Sequence, residues 1–166
     1  MKTIRRFIIA LALTIVSSYI YSQRIVNGTT PLSIVQDYFS QSNKMRDEDS
    51  PDPTKITDLL QYEFIAVENG NVTNYNAYKK SIENIAREIE NAKIRGDKFG
   101  YLWKITQVVK TIIDTNHSVI VCRALLKSSI SGGDITEQKF IITFCLMRGN
   151  ESWLIELLDS EPDTEQ

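Results

Sequence analysis

The chain has 166 residues and a formal net charge of −2, from 19 Lys and Arg against 21 Asp and Glu. This mildly acidic balance argues against nucleic-acid binding, because phosphate contacts need clustered Lys and Arg side chains. The length suits one domain with its own hydrophobic core.

Residues 1–22 have the composition of a secretory signal peptide. The basic start MKTIRR precedes the apolar run FIIALALTIV, which is shorter than the roughly 20 residues that a membrane-spanning helix needs. Cleavage after Ser22 is predicted, with an uncleaved anchor extending through Tyr21 as the alternative. We expect an exported protein, periplasmic or secreted, from a bacterial source, with no membrane attachment after cleavage.

The mature chain is predicted to form a single domain. Residues 23–30 are a short linker, residues 31–160 the domain, and residues 161–166 an acidic tail. The signal peptide removes three of the basic residues and none of the acidic ones, so the mature chain carries a charge of −5.

Two helices are predicted at the start of the domain. Thr30 is a suitable N-cap and Pro31 a suitable first helical residue, and apolar residues then recur at helical spacing through Met45. The segment DSPDPTKITDLL predicts a short second helix that includes Leu60.

A hairpin and a third helix follow. The apolar stretch 64–67 precedes Asn69-Gly70, a dipeptide that favours a tight turn because both positions need positive φ. In the third helix, Glu88 is assigned to the charged face and Gly96 ends the helix. The opposite, apolar face carries Tyr78, Ile82, Ile85 and Ile89.

From Tyr101 onward the apolar period changes from helical to twofold. Four segments rich in β-branched and aromatic residues predict four strands: YLWKITQVVKTII, HSVIVCRALLK, EQKFIITFCLMR and SWLIELL. Short connections join them, which predicts an antiparallel meander. The fold class is therefore α+β, with three helices packed on a strongly curved, mostly antiparallel, cone-like sheet.

This element order resembles that of the nuclear transport factor 2-like superfamily, which includes polyketide cyclases and ketosteroid isomerase relatives. The resemblance rests on FIAVENGNVTNYNAYKKSI between the second and third helices and on the closing strand GNESWLI. It implies a cone-shaped pocket. In the isomerases it implies a base carboxylate near the end of the first strand, where this chain has Glu68 beside Asn69.

Turn positions predict which residues face the pocket. A turn at Thr115-Asn116 pairs Val109 with Cys122, and a turn at Gly132-Gly133 pairs Cys122 with Thr143. One face of the sheet is then almost wholly apolar and is expected to be concave. It comprises Trp103, Ile105, Val109, Ile120, Cys122, Ala124, Leu126, Ile141, Thr143, Cys145 and Met147.

The last hairpin decides the position of Trp153. A two-residue loop, Gly149-Asn150, pairs Trp153 with Leu146 on the outer face, whereas a three-residue loop pairs it with Met147 on the concave face. A shift of one residue reverses the faces of the whole strand. We predict the longer loop, because it also places Ile155 and Leu157 in the core. The predicted pocket residues are Tyr38, Trp103, Ile105, Ile141, Met147 and Trp153.

The outer face mixes charged and apolar residues, which suggests a homodimer interface. Its predicted members are Arg123, Phe140, Phe144 and Glu156. Arg123 and Glu156 are expected to form an ion pair, or alternatively to anchor a ligand. Cys122 and Cys145 face the same side of neighbouring strands, so both two buried thiols and a cross-strand disulfide remain open.

Candidate catalytic residues are few. His117 is the only histidine and follows a tight turn, which disfavours nucleophilic triads and histidine-based metal sites; no metal or cofactor is predicted. The leading hypothesis is a non-enzymatic module that binds a small apolar molecule or a protein partner. The alternative is a small acid-base enzyme, an isomerase, dehydratase or cyclase, using Glu68 with Tyr38 or Tyr78.

Overall fold

A computed structural model describes residues 29–47, 50–97, 100–129 and 135–164, and these residues form three helices and one six-stranded sheet. The helices are α1 (Pro31–Asp47), α2 (Thr54–Thr57) and α3 (Tyr75–Ile94). The strands are β1 (Leu60–Glu68), β2 (Asn71–Asn74), β3 (Gly100–Ile113), β4 (His117–Ser129), β5 (Thr136–Arg148) and β6 (Trp153–Pro162). The α+β class, the curved sheet and the cone-like architecture are confirmed. The predicted signal peptide lies outside the described residues.

Local sequence signals set the ends of the two long helices. At the start of α1, the Ser33 N–H donates to Thr30 Oγ1 over 3.2 Å, which satisfies a donor that has no partner within the helix. At the start of α3, the Ala77 N–H donates to Asn74 Oδ1 over 3.0 Å. Gly96 follows α3 with a φ of 76°, a conformation that glycine adopts readily.

The second helix is shorter than predicted. α2 ends at Thr57, and Leu60 begins β1 instead. At the start of α2, Asp52 Oδ1 accepts a hydrogen bond from the Thr54 N–H over 3.0 Å. Leu60 lies opposite Ile155 of β6, a long-range pairing that local periodicity does not report.

The sheet has the strand order β2-β1-β6-β5-β4-β3. Strands β3 to β6 form the predicted antiparallel meander, and the predicted turn at Asn69-Gly70 joins β1 to β2 with φ values of 51° and 77°. β6 also pairs with β1 in parallel, a contact that brings the end of the chain beside its first hairpin. Within the described residues, no helix is long and apolar enough to cross a membrane.

Two irregularities in β3 change its predicted pairing. Near the turn, Thr111 lies opposite Ile120 as expected, but register shifts follow, so that Ile105 lies opposite Ala124 and Trp103 opposite Leu126. Trp103 and Ile105 keep the predicted face and pack against the core. Val109 does not, because it lies within the register shift between Val108 and Lys110, where it has no cross-strand partner in β4, and it is exposed.

The predicted register of β5 was wrong by one residue. Cys122 lies opposite Ile142 rather than Thr143, and this shift turns every β5 side chain to the other face. The inner face therefore carries Phe140, Ile142, Phe144 and Leu146, whereas Ile141, Thr143, Cys145 and Met147 face outward. Burial follows the new register, since Phe144 and Leu146 are fully buried.

Trp153 lies in the core, on the predicted face, although its partner differs. It is 0% exposed and lies opposite Arg148 rather than Met147. The predicted register of β5 was wrong by one residue, and the predicted loop between β5 and β6 was one residue too short. The two errors cancel, so Trp153 and Ile155 lie on the predicted face. A later register shift leaves Glu156 without a cross-strand partner and turns Leu158 inward instead of Leu157.

Candidate functional site

A cavity of about 360 Å³ opens at one end of the sheet, between α1, α3 and the inner face. It lies where β1 ends, β3 begins and β4 ends. Its walls are Tyr38, Ser42 and Met45 of α1, Tyr78, Ser81, Ile82, Ile85 and Glu88 of α3, and Glu68, Tyr101, Trp103, Leu126 and Ser128 of the sheet. The volume falls within the range of small-molecule pockets.

Two tyrosines form the polar centre of the cavity. Tyr38 and Tyr78 come from different helices, and their hydroxyl groups hydrogen-bond to each other. Their side chains are 9% and 6% exposed. Two hydroxyls hold two protons and this bond uses one, so one phenolic proton has no acceptor among the described residues and is available to a group in the cavity.

Burial keeps both phenols protonated. It raises the pKa of Tyr38 to about 12 and raises that of Tyr78 well above its ordinary value. The nearby carboxylate of Glu68 raises both further, because a second negative charge close by is unfavourable. The pair therefore acts as a neutral hydrogen-bond donor at neutral pH.

Glu68 is the last residue of β1 and lies on the cavity wall. Partial burial raises the pKa of its carboxyl group, because removal from water disfavours the charged form. It lines the same cavity as Tyr38 and Tyr78, and its negative charge contributes to the raised pKa of both phenols. The structure thus brings together Glu68, Tyr38 and Tyr78, the three residues of the alternative hypothesis.

Side chains of α1 fix the aromatic wall of the cavity to the helix. The Asn43 amide bonds both backbone groups of Trp103: its Nδ2 donates to the Trp103 carbonyl over 2.8 Å, and its Oδ1 accepts from the Trp103 N–H over 2.7 Å. Arg46 donates to the Tyr101 carbonyl over 2.8 Å. These bonds hold the start of β3 in place, so the wall is rigid before any ligand binds.

The predicted pocket residues divide into two groups. Tyr38 and Trp103 line the cavity, and Ile105 packs against the core beside it. Ile141 and Met147 face outward because of the β5 register. The sulfur atom of Met147 lies 3.9 Å from Gln61 Nε2. Trp153 belongs to the filled core at the other end of the sheet.

Of the two alternatives left open for the cysteines, the cross-strand disulfide is excluded by the same register. Cys122 is buried on the inner face, whereas Cys145 lies on the outer face opposite Val119, and both are free thiols. Burial raises the pKa of Cys122 to about 11, so it packs as a small apolar residue.

The predicted outer-face residues also change. Phe140 and Phe144 lie on the inner face, where Phe144 contacts Tyr38 and Phe39 with its ring. Arg123 does face outward, but its ion-pair partner is Asp163, with 3.1 Å between Nε and Oδ2, rather than Glu156. Asp163 follows β6, which extends through Pro162 into the segment predicted as a tail.

Sequence reasoning missed several cavity residues, of which Tyr101 and Glu88 matter most. Tyr101 alternates with Trp103 along β3, a pattern that was visible. Ser81 and Glu88 of α3 also line the cavity, beside Ile85 of the predicted apolar face. Glu88 is exposed, as its assignment to the charged face predicts, and it borders the cavity as well. Residues 29–47, 50–97, 100–129 and 135–164 contain no cluster of three or more potential metal ligands.

By sequence, the chain matches no family model and no curated protein. Solved structures do match. A candidate scytalone dehydratase from Novosphingobium aromaticivorans has a TM-score of 0.62 at 12% identity and covers 80% of each chain. A protein of unknown function from an Exiguobacterium species has a TM-score of 0.57 at 14% identity, over 80% of this chain and 99% of the other, and is NTF2-like.

The chain has the nuclear transport factor 2-like fold. A ketosteroid isomerase-like protein from Erwinia carotovora atroseptica shares it, with a TM-score of 0.55 at 10% identity over 80% of this chain and 93% of the other. These matches confirm the resemblance seen in the sequence. Since one fold hosts many chemistries, the nuclear transport factor 2-like fold explains where the cavity lies and leaves its chemistry to the residues that line it.

Proposed function

We propose that this protein binds a small, mostly apolar molecule in the cavity and holds an oxygen atom of that molecule against the Tyr38–Tyr78 pair. The observation that carries the proposal is the second phenolic proton. A buried donor without an acceptor costs free energy, and a ligand carbonyl, ether or hydroxyl oxygen would supply the missing acceptor. The apolar wall residues Ile82, Ile85 and Leu126 suit the rest of the molecule.

A ligand screen with a blocked-pocket variant tests this proposal. Small cyclic ketones, aryl ethers and phenols are added to the mature protein, and binding is followed by ligand-observed NMR. Ile85→Trp adds bulk to the cavity wall without removing either tyrosine, and it should abolish binding. Ile112→Trp, on the exposed part of β3, is the control and should bind as the wild type does. Binding that survives Ile85→Trp, or no binding of any of these oxygen-bearing compounds, would refute the proposal.

Proton transfer is the second candidate function, and the position of Glu68 beside the phenol pair favours it. A carboxylate could remove a proton from the carbon next to a bound carbonyl group while the phenols donate to the developing oxyanion. Two structural relatives carry names that point to such chemistry, a dehydratase and an isomerase-like protein.

The proton-transfer candidate is tested by hydrogen exchange. A bound cyclic ketone in deuterated water should exchange its α-protons faster with the wild type than with Glu68→Gln, as measured by NMR of the ketone. Equal exchange with both proteins would leave binding as the function and remove Glu68 as a base.

We also propose that the protein forms a dimer through the outer face of its sheet. The new register leaves partly exposed apolar side chains there, among them Val121, Ile141 and Leu157, which a second copy would cover. Ile141→Lys should give a monomer, whereas the control Ile94→Lys, at an exposed position at the end of α3, should not. Light scattering of the wild type measures the mass directly, and a monomeric wild type at high concentration would contradict the interface.

Export remains a proposal as well, supported by the composition of residues 1–22. Expression of the full chain in a bacterial host should deliver a protein that begins at Gln23 outside the cytoplasm. Cell fractionation and N-terminal sequencing measure both properties, and an uncleaved cytoplasmic product would contradict them.

A further inference from the structure

The charges on the cavity wall are of one sign. Glu68 and Glu88 line the cavity, and the lining residues that belong to the described part of the chain include no Lys, Arg or His. Neither carboxylate forms a salt bridge within the described part of the chain. Both side chains keep some exposure to solvent, so they lie near the opening while the phenol pair lies deeper.

Four aromatic rings share this cavity with the two carboxylates: Tyr38, Tyr78, Tyr101 and Trp103. The face of an aromatic ring attracts a cation, and the attraction grows when the cation is partly removed from water. Anionic ligands face the opposite situation, because two carboxylates at the opening repel them and no basic residue of the wall compensates.

The second phenolic proton of the Tyr38–Tyr78 pair sets an independent requirement on the ligand. It comes from two side chains that are each more than nine-tenths buried, and it can be satisfied only by an acceptor oxygen inside the cavity. A ligand that suits all of these features has an oxygen acceptor at one end, an apolar middle and a positive charge at the other end.

We propose that the natural ligand is a cationic amine of this kind, a small molecule that carries an ammonium group and an ether, carbonyl or hydroxyl oxygen. The ammonium group lies between Glu68 and Glu88 against the aromatic wall, and the oxygen accepts the proton of the Tyr38–Tyr78 pair. This inference rests on the pocket function proposed above and names the ligand class for that same pocket.

A matched pair of probes tests the charge requirement alone. 2-(4-Methoxyphenyl)ethylammonium and 2-(4-methoxyphenyl)ethanol each carry an ether oxygen at one end and an apolar ring in the middle. They differ only in the group at the other end, which is an ammonium in one and a hydroxyl in the other. Titration calorimetry or NMR of the mature wild type should show the ammonium compound binding about tenfold more tightly. The double variant Glu68→Gln/Glu88→Gln should reduce this preference to about one, with the affinity for the alcohol little changed.

A control variant separates a local effect from a general one. Glu90→Gln removes a negative charge from an exposed position of α3 that does not line the cavity, and it should leave the preference for the ammonium compound unchanged. If Glu90→Gln and Glu88→Gln reduce the preference for the ammonium compound equally, then the overall charge of the protein attracts the amine and the cavity does not. That result would overturn the inference.

The remaining outcomes distinguish the two proposals. If both probes bind equally, or the alcohol binds more tightly, the amine inference is wrong and the pocket function stands. If neither probe binds, the pocket function fails and the inference fails with it. A preference that persists in the double glutamine variant would also overturn the inference, because the two carboxylates would then not be its cause.

Discussion

The two ends of the sheet are built from the same strands and differ in what fills the space above them. At the end where β6 begins, Trp153, Ile155, Leu146 and Ile120 are fully buried and apolar. At the end where β1 and β4 finish, the same inner face ends in Glu68 and Ser128 and borders a cavity. The closed end holds the fold together, and the open end carries polar groups that the fold itself does not need.

The largest expected effect is at the closed end. Trp153→Ala should lower the free energy of unfolding by about 3–5 kcal/mol, because it leaves a void that the surrounding core cannot fill. Trp103→Ala, at the half-buried cavity wall, should cost less even though its ring lies near Phe39 and Phe140. Urea denaturation measures both, and equal losses would contradict the division between the two ends.

Substitutions of Tyr38 and Tyr78 should have non-additive effects on stability. Tyr38→Phe and Tyr78→Phe each remove one hydroxyl and leave the other without its partner, at a cost of about 1–3 kcal/mol. The double variant removes both hydroxyls, so its loss of stability should be smaller than the sum of the single losses. Its ligand affinity should nevertheless be the lowest of the three. Additive losses in a double-mutant cycle would show that the two phenols do not depend on each other.

Glu68 should make stability depend on pH in the opposite sense to a salt-bridged carboxylate. Its pKa in the folded protein is raised above its ordinary value near 4.5 by burial, so the folded state binds the proton more readily than the unfolded state. The stability of the wild type relative to Glu68→Gln should therefore fall as the pH rises from the ordinary pKa to the raised one, and stay constant above it.

Denaturation at a series of pH values measures this difference. Tyr38 and Tyr78, which face Glu68, stay protonated throughout, and Glu88 is present in both proteins. A relative stability that rises with pH across this window would show that Glu68 is paired with a cation instead.

The smallest expected effect concerns the two cysteines, which lie on opposite faces of the sheet. Cys145, on the outer face, should react with iodoacetamide before Cys122, whose pKa is raised to about 11 by burial, since thiolate is the reactive form. Because the proposed dimer would cover the outer face, the experiment uses the Ile141→Lys variant, which is expected to be monomeric. Mass spectrometry under native conditions should then show the first modification at Cys145. A mass increase on reduction would instead reveal a disulfide and contradict the register of β5.

Much of the fold could be predicted because its signals are local. The cap at Thr30, the Asn69-Gly70 turn and the twofold period after Tyr101 each depend on a few neighbouring residues. The register of β5 could not be predicted in this way. Its residues 140–147 alternate between two apolar sets, so hydrophobicity does not choose a face, and the choice depends on packing of Phe144 against Tyr38 and Phe39.

Only part of the candidate site could be predicted, because some of its residues depend on the strand register. Glu68 was implied by the resemblance to the isomerases, Tyr38 and Tyr78 came from helical faces, and Trp103 came from strand alternation. The other three predicted residues, Ile141, Met147 and Trp153, were assigned to the cavity through a strand pairing that differs in the structure. Glu88 was missed because the boundary between the core stripe and the solvent face of α3 depends on what packs beside it.

The sequence by itself determined the element order, the α+β class and the residue types available for chemistry, because these follow from short-range periodicity and turn preferences. Only the tertiary structure decided that α1, α3 and the ends of three strands meet around one cavity, and that two buried phenols share it with two carboxylates. That arrangement depends on strand register and on the parallel pairing of β6 with β1, both of which are set by contacts between residues far apart in the chain.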